Sequence, residues 1–379
     1  MNKKLKIYVI GPTYPYRGGI PHYNSLLCEN LAKKHNVSCI SFKRLYPKLL
    51  FPGKDQKDTK SKNKIKTKAI EMLDSINPFT WFKVVKKIKK DKPDLLLMYW
   101  WTPFFFPSFA TISWLVKKLT NTKILFLCHN VLPHDKSFLD KFLSKNVLKN
   151  SDYFIVHSKQ DKNDLKSMIP NAKVSHGVHP IYEMFKQKPI PKNKAKEMLE
   201  LNGKIITFFG FIRKYKGLEY LIKALPEVLK EQKVTLLIVG EFWELKEETL
   251  RLIKYLNLED NINIYDEYIP NEEVGKYICA SDVIVLPYNH ATNSGIIQTA
   301  FGFERPVIVT DVGGLPEVVL DNKTGFVVPS KNSKALASAI NRYYKENKEK
   351  KFIEGIKKDK KRFEWERMVE RIEEFMKNE

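Results

Sequence analysis

At 379 residues the chain is about two to three times a typical domain, so two separate cores are expected and a lone small binding module is excluded. Apolar residues at 43 %, aromatics at 12 %, and 20 Pro with 16 Gly spread along the chain exclude a disordered or collagen-like polymer. The net charge of +23 is lopsided: residues 1–180 hold 33 basic against 12 acidic side chains, whereas the remaining 199 residues hold 33 against 31. The first half should therefore attract something anionic.

The N-terminal run KIYVI ends at Gly11 and Pro12, too short for a secretory signal, and reads as a first strand. Strand-like VSCISF, LLLMY, KILFLC and YFIVH follow, alternating with helix-like stretches such as YNSLLCENLAKKH and DKNDLKSMI. Lys43 to Lys92 is a long insertion after the second strand, with 16 basic and 5 acidic residues, about half of this half's excess charge. Leu95 to Val116 is uncharged for 22 residues, but Pro103 and Pro107 break any spanning helix, so a buried strand followed by a helix is expected. The intervening WWTPFFFP is either core or a peripheral membrane contact.

QKPIPKNKAKEMLELNGK lacks a strand pattern, which places a linker over 185–203, between a first domain at 1–184 and a second at 204–358. The second half repeats the alternation with KIITFF, VTLLIV, INIY, VIVLP and PVIVT, so the expected class is α/β with two doubly wound parallel sheets. Cys28, Cys39, Cys128 and Cys279 have neither disulfide-framework nor zinc-ligand spacing, and a reducing cytosol is the expected compartment.

Open parallel sheets bind ligands beyond the carboxyl ends of their strands, so the turns there are the candidates. After the first strand, Arg17, Gly18 and Gly19 precede Pro21, a helix-opening residue, and free N–H groups there could face a phosphate or simply make a tight turn. His129 ends the fourth apolar run and His134 follows it; either could face a ligand or satisfy loop backbone. His157, His176 and His179 match no zinc spacing and are expected to be structural. In GFIRKYKG, Gly210, Arg213, Lys216 and Gly217 lie between a strand and a helix, where two cations would suit a diphosphate. In YNHATNSGII, Ser294 and Gly295 open a helix near Ile296 whose N-terminus is a second anion site. Asn289, Thr292 and Asn293 beside it could hydrogen-bond sugar hydroxyls. Gly313, Gly314, Pro316 and Glu317 make another strand-end turn.

The order GFIRKYKG, LLIVGE, ASDVIVLPY, SGII, RPVIVTDVGGLPEVV and TGFVVP resembles the donor-binding domain of the family 4 retaining glycosyltransferases of GT-B architecture, the glycosyl transferases of group 1. RGGI at Arg17 to Ile20 and CHN at Cys128 to Asn130 extend the resemblance to the first half, and KRFEWERMVERIEEFM resembles the family's last helix, so 359–379 is expected to cross back to the first domain. The resemblance implies two Rossmann-like domains and transfer of a sugar from a nucleotide diphosphate sugar, UDP before GDP. Anomeric configuration would be retained, with no cofactor and no metal; the sequence contains no Asp-x-Asp.

By that likeness Arg213 and Lys216 would neutralise the leaving diphosphate, His129 would touch the donor sugar, and Tyr268 with Ile269 would lie near the base. Gly18, Gly19, Gly210, Asn293, Ser294, Gly295, Ile296, Ile297 and Thr299 would complete the donor side, and Arg17, His22, Trp100 and Trp101 the acceptor side. The family's usual pair of Glu residues is absent, with Ala291 and Thr299 in those places. The implied acceptor is a glycan or lipid-linked diphosphate in cell-surface polysaccharide synthesis. A cytoplasmic protein peripheral to the inner face of the membrane is expected, with lysines of 54–68 and Trp100, Trp101 and Phe104 to Phe106 as contact candidates. A non-catalytic nucleotide-sugar-binding homologue and an epimerase of the same architecture remain as alternatives. A nucleic-acid-binding protein has only charge in its favour, and no nucleic acid partner is expected.

Overall fold

The computed structural model describes residues 4–51, 53–62, 64–65, 67–133, 137–182, 185 and 190–377. His134 and most of 183–189 lie outside them. The chain divides into two units: one of Met1–Thr59, Lys64–Val178 and Trp365–Glu379, the other of Lys60–Asn63 and His179–Glu364. The passage from one to the other thus falls at Val178, ahead of the expected boundary, and the return falls at Trp365 instead of 359.

The first unit runs β1 (Lys6–Ile10), α1 (Gly19–Ala32), β2 (Asn36–Arg44), β3 (Ala69–Asp74), α2 (Pro78–Asp91), β4 (Leu95–Trp100), α3 (Phe106–Leu119), β5 (Lys123–Cys128), α4 (Phe138–Leu148), β6 (Tyr153–Val156), α5 (Lys159–Met168) and β7 (Val174–His176). Its seven parallel strands are ordered β3-β2-β1-β4-β5-β6-β7, so the direction of winding reverses between β1 and β4. β4 is buried at every position, as a central parallel strand flanked by helices on both faces must be.

The WWTPFFFP stretch is mostly core. Trp100 is fully buried and donates from Nε1 to the Val131 carbonyl at 3.2 Å, and Phe105 is fully buried beside Phe42 and Phe109. Trp101, Phe104 and Phe106 are partly buried against the same cluster. This corrects the reading of Trp100 and Phe105 as membrane or acyl contacts: aromatic area of this size is best placed between sheet and helices. Within 54–68, Lys57 and Lys60 are paired with Glu71 at 3.2 Å and Glu267 at 2.8 Å. No described helix is long and apolar enough to cross a membrane. Cys28 and Cys39 are paired as a disulfide, against the expectation of no pairing; α1 and β2 bring their Cα atoms to 6.9 Å.

The second unit runs α6 (Lys192–Glu197), β8 (Lys204–Phe209), α7 (Leu218–Glu231), β9 (Val234–Val239), α8 (Lys246–Tyr255), β10 (Ile262–Tyr265), α9 (Val274–Ala280), β11 (Val283–Leu286), α10 (Gly295–Gly302), β12 (Val307–Thr310), α11 (Leu315–Val318), β13 (Gly325–Val328), α12 (Ser333–Lys345) and α13 (Lys348–Asp359). The sheet order β10-β9-β8-β11-β12-β13 places its winding reversal between β8 and β11. α14 (Trp365–Lys377) then belongs to the first unit, where Trp365, Met368, Val369 and Ile372 bury one stripe at helical spacing. The Leu5 N–H points at His35 Nδ1 at 3.4 Å, which leaves Nε2 to donate to the buried Glu373 carboxylate at 3.0 Å.

Part of the expected linker is a packed element. α6 lies against α9, and Asp282 accepts from Lys192 Nζ at 2.7 Å, from Lys196 Nζ at 3.4 Å and from the Ile205 N–H of β8. Removing Asp282 strands the buried Ile205 N–H and leaves Lys192 to Glu349 and Lys196 to the Gly203 carbonyl, so Asp282→Ala is expected to cost about 2 kcal/mol in urea unfolding. A loss below about 0.5 kcal/mol, the scatter of ordinary surface changes, would show that this tether contributes nothing.

Candidate functional site

β8 and β11 are neighbours at the winding reversal of the second unit, and the loops that leave their carboxyl ends are held close together by glycine. Gly210 follows β8 with φ +103°, where an added Cβ would lie 3.1 Å from Lys216 Nζ and 3.2 Å from Ile296 Cδ1. Gly217, at φ +62°, ends a single 3-10 turn over Lys214–Lys216, and a Cβ there would meet the Pro287 carbonyl at 2.1 Å. The Asn289 N–H donates to the Tyr215 carbonyl at 2.7 Å, which ties the two loops directly. At Gly313, after β12, a Cβ would collide with the Ala291 carbonyl at 1.5 Å, and the Gly314 N–H donates to Thr292. Only residues without side chains allow three loops this approach.

The turn after β8 drives Lys216 inward. Its side chain is 8 % exposed, lies over the Tyr288 ring at 5.7 Å, and has no carboxylate partner among the described residues. Burial pulls its ammonium down to about 7, with the positive charge of Arg213 adding to the effect. Arg213 is half-exposed and oriented by Glu244, whose carboxylate takes Arg213 Nε at 3.4 Å and the Lys214 N–H at 2.8 Å. The guanidinium also lies 5.6 Å from the Trp243 ring.

Beside Lys216 stands the first turn of α10. The N–H groups of Gly295 and Ile296 take no acceptor among the described residues, and Ser294, the N-cap, makes no side-chain cap. Gly295 is required because the Tyr182 ring packs where a Cβ would sit, at 2.9 Å. Asn289 Oδ1, Asn293 Nδ2 and Gln298 Oε1 are buried and make no hydrogen bond among the described residues. Two cations, a helix N-terminus and uncommitted amides make a site for a dianion that carries hydroxyl groups.

Several expected donor residues are placed otherwise. Ile297 is fully buried in the core and its N–H is taken by the Ser294 carbonyl, while Thr299 is buried with its hydroxyl donated to the Gly295 carbonyl at 2.9 Å. Neither offers a side chain to a ligand. Ile269 is likewise buried, whereas Tyr268 is half-buried and stacks on Phe211, which stacks on Trp243 at 4.3 Å. Phe211, Trp243 and Glu244 went unread in the sequence, although the rule of searching strand ends, applied after β9, leads to the last two.

The first unit gathers its own candidates at the ends of β1, β4 and β5. Gly18, at φ +111°, caps α1 and Gly19 opens it, and Arg17 is held by its N–H on the Gln56 carbonyl and its guanidinium on the Asp55 carbonyl. His129 is buried with its ring 4.8 Å from Tyr23, 5.6 Å from Tyr99 and 5.5 Å from His157. His157 shares its Nδ1 with the Gly177 carbonyl at 2.7 Å, and burial lowers it to about 4. His22 is also lowered to about 4 by burial, against the opposing pull of Asp58. Trp101, half-buried, donates to the Tyr46 hydroxyl at 3.0 Å.

Residues 203–346 match the profile of the glycosyl transferases group 1 family. An uncharacterised glycosyltransferase of Methanocaldococcus jannaschii is 27 % identical over 139 residues, 37 % of this chain and 35 % of its own length. The D-inositol 3-phosphate glycosyltransferase of Corynebacterium diphtheriae is 22 % identical over 256 residues, 60 % of this chain and 58 % of its own. These curated relatives are thus matched over about a third to just under two-thirds of their length. Among solved structures, Anabaena HepE in complex with UDP superposes with a TM-score of 0.77 at 17 % identity, over 99 % of this chain and 100 % of the other. The chain has the GT-B fold, and the stretch that matches the glycosyl transferases group 1 profile, residues 203–346, is the one that carries Lys216 and the α10 N-terminus.

Proposed function

We propose that the protein is a glycosyltransferase that moves a sugar from a nucleotide diphosphate sugar to a glycan or lipid-linked acceptor, in cell-surface polysaccharide synthesis at the inner face of a membrane. The observation that carries this reading is Lys216: a buried ammonium without a carboxylate partner, at a strand end and beside a free helix N-terminus. Such a group is costly alone and is stabilised by an anion. Placed against the diphosphate, Lys216, Arg213 and the Gly295 and Ile296 N–H groups would take up the charge that grows as the bond from the anomeric carbon to the phosphate oxygen breaks. The fixed cations do what a divalent ion would otherwise do, so we assign a metal-independent reaction. Retention of configuration and membership of family 4 follow the sequence resemblance. UDP as the nucleotide accords with the UDP bound by HepE, and the Phe211, Trp243 and Tyr268 stack offers an aromatic face for a base.

Lys216→Ala and Arg213→Ala are each expected to lower sugar transfer by about 10²- to 10³-fold with the fold intact by circular dichroism, and a chelator is expected to leave the wild-type rate unchanged. Turnover preserved in a folded double variant would refute the assignment. In a thermal-shift series, UDP-sugars are expected to raise the melting temperature more than GDP-sugars at equal concentration.

The depressed ammonium of Lys216 gives a pH signature. With the ordinary lysine value near 10.5 and the unliganded site near 7, the cation is lost as pH rises through about 7, and a bound diphosphate restores it. Nucleoside diphosphate affinity should therefore fall by about tenfold per pH unit above 7, with proton uptake on binding in calorimetry. Lys216→Arg should flatten the profile. A flat profile for the wild type would show that Lys216 does not meet the ligand.

A further inference from the structure

In the first unit the chain leaves β3, β4 and β5 in the same direction across the sheet order, and right-handed crossovers put α2, α3 and α4 side by side on one face, with α3 packed between the other two. The outward stripes of these helices are unusual. On α2, Phe79 is 77 % and Phe82 55 % exposed, on α3 Trp114 is 52 % exposed, and on α4 Phe138 is 88 % and Phe142 54 % exposed. Exposed lysines interleave with them at helical spacing: Lys83 and Lys86, Lys117 and Lys118, Lys141 and Lys145. The only acidic residues of the three helices, Asp91 and Asp140, are partly buried and engaged, Asp91 with Lys87 and Asp140 in the capping box of Ser137.

We propose that this α2–α3–α4 face docks on an anionic lipid bilayer, with the aromatic side chains entering the headgroup boundary and the lysines facing lipid phosphates. Exposed aromatic area alone would suit a protein partner, and lysine alone would suit any polyanion. The two combined on one convex row of helices, with no exposed carboxylate among them, match a surface that is negative outside and apolar just beneath. Past the helix ends Lys89, Lys92, Lys117, Lys118 and Lys123, with Asp94 and Glu373 among them, line a cavity of about 950 Å³ in which cations outnumber carboxylates. The exposed side chains of this face lie outside the WWTPFFFP stretch and the lysines of 54–68; the proposal rests on the membrane location given under the proposed function but needs no catalytic step, so its failure would leave the transfer reaction standing.

Co-sedimentation of the full chain with phosphatidylcholine vesicles, with and without phosphatidylglycerol, tests the proposal. The wild type should pellet with anionic vesicles only, and the Trp114 contribution to fluorescence, isolated by difference from Trp114→Phe, should shift to shorter wavelength. Phe79→Ser/Phe138→Ser/Phe142→Ser should weaken partitioning at least tenfold, and Lys86→Glu/Lys141→Glu/Lys145→Glu on the order of a hundredfold, with melting temperature and nucleotide binding unchanged. Four results would overturn it: no vesicle binding by the wild type, or binding untouched by either variant. Lysine dependence without aromatic dependence would indicate adsorption of any polyanion, with duplex DNA as the comparison. A change from dimer to monomer in the Phe variant with vesicle binding intact would make the face an interface between copies.

Discussion

An ammonium ion taken out of water without a counter-charge is the constraint on which the second unit turns. Lys216 is 8 % exposed, and the turn that carries it is closed by Gly217 at φ +62°, where a Cβ would meet the Pro287 carbonyl. Glu244, in the loop after β9, is engaged by Arg213 and by the Lys214 N–H and makes no ion pair with Lys216 among the described residues. Burial lowers the Lys216 pKa, so an anion set against it would restore the charged form.

The first unit works by the opposite device. Its strand ends gather imidazoles: His129 and His157 pack on Tyr23, His129 also on Tyr99 and His22 on Tyr14, with His22 and His157 both lowered to about 4 by burial. α14 closes this cluster, since Trp365 lies 5.1 Å from Tyr23 and the Arg371 guanidinium donates to the His176 carbonyl at 2.8 Å. The Arg371 guanidinium also occupies the space where a Cβ at Gly177 would sit, 2.6 Å away. The helix Trp365–Lys377 thus packs against α1 and Tyr23, near the end of the first strand.

The alternation of short apolar runs with amphipathic stretches made the two parallel sheets legible, because a central strand buried on both faces must be apolar throughout. β3 escaped notice for the converse reason. It is an edge strand of six residues in a lysine-rich insertion, and Leu73 is its only fully buried side chain. Strand-end logic identified Gly210, Arg213, Lys216 and Gly295, since in this topology position along the strand decides proximity. It could not separate Ile296 from Ile297, where one residue of helical rotation sends a side chain from the site into the core. Nor could it show that Trp100 is buried, because composition assigns an aromatic run equally to a core or to a surface.

The places where the family's paired acids would stand are filled in a way that closes them to acids. The Ala291 carbonyl is pressed by the Gly313 turn, and the Thr299 hydroxyl returns to its own helix at Gly295, in a position 3 % exposed. A carboxylate at 299 would be buried where the threonine hydroxyl now turns back onto its own helix. What the loop offers instead is amide: Asn289 Oδ1, Asn293 Nδ2 and Gln298 Oε1, each buried and without a hydrogen bond among the described residues. Unpaired amides cost stability in the empty protein and recover it when hydroxyls arrive. Neutral groups also leave the positive charge of Lys216 and Arg213 undiminished, which would favour the diphosphate of the proposed reaction and leave sugar recognition to groups that can both donate and accept.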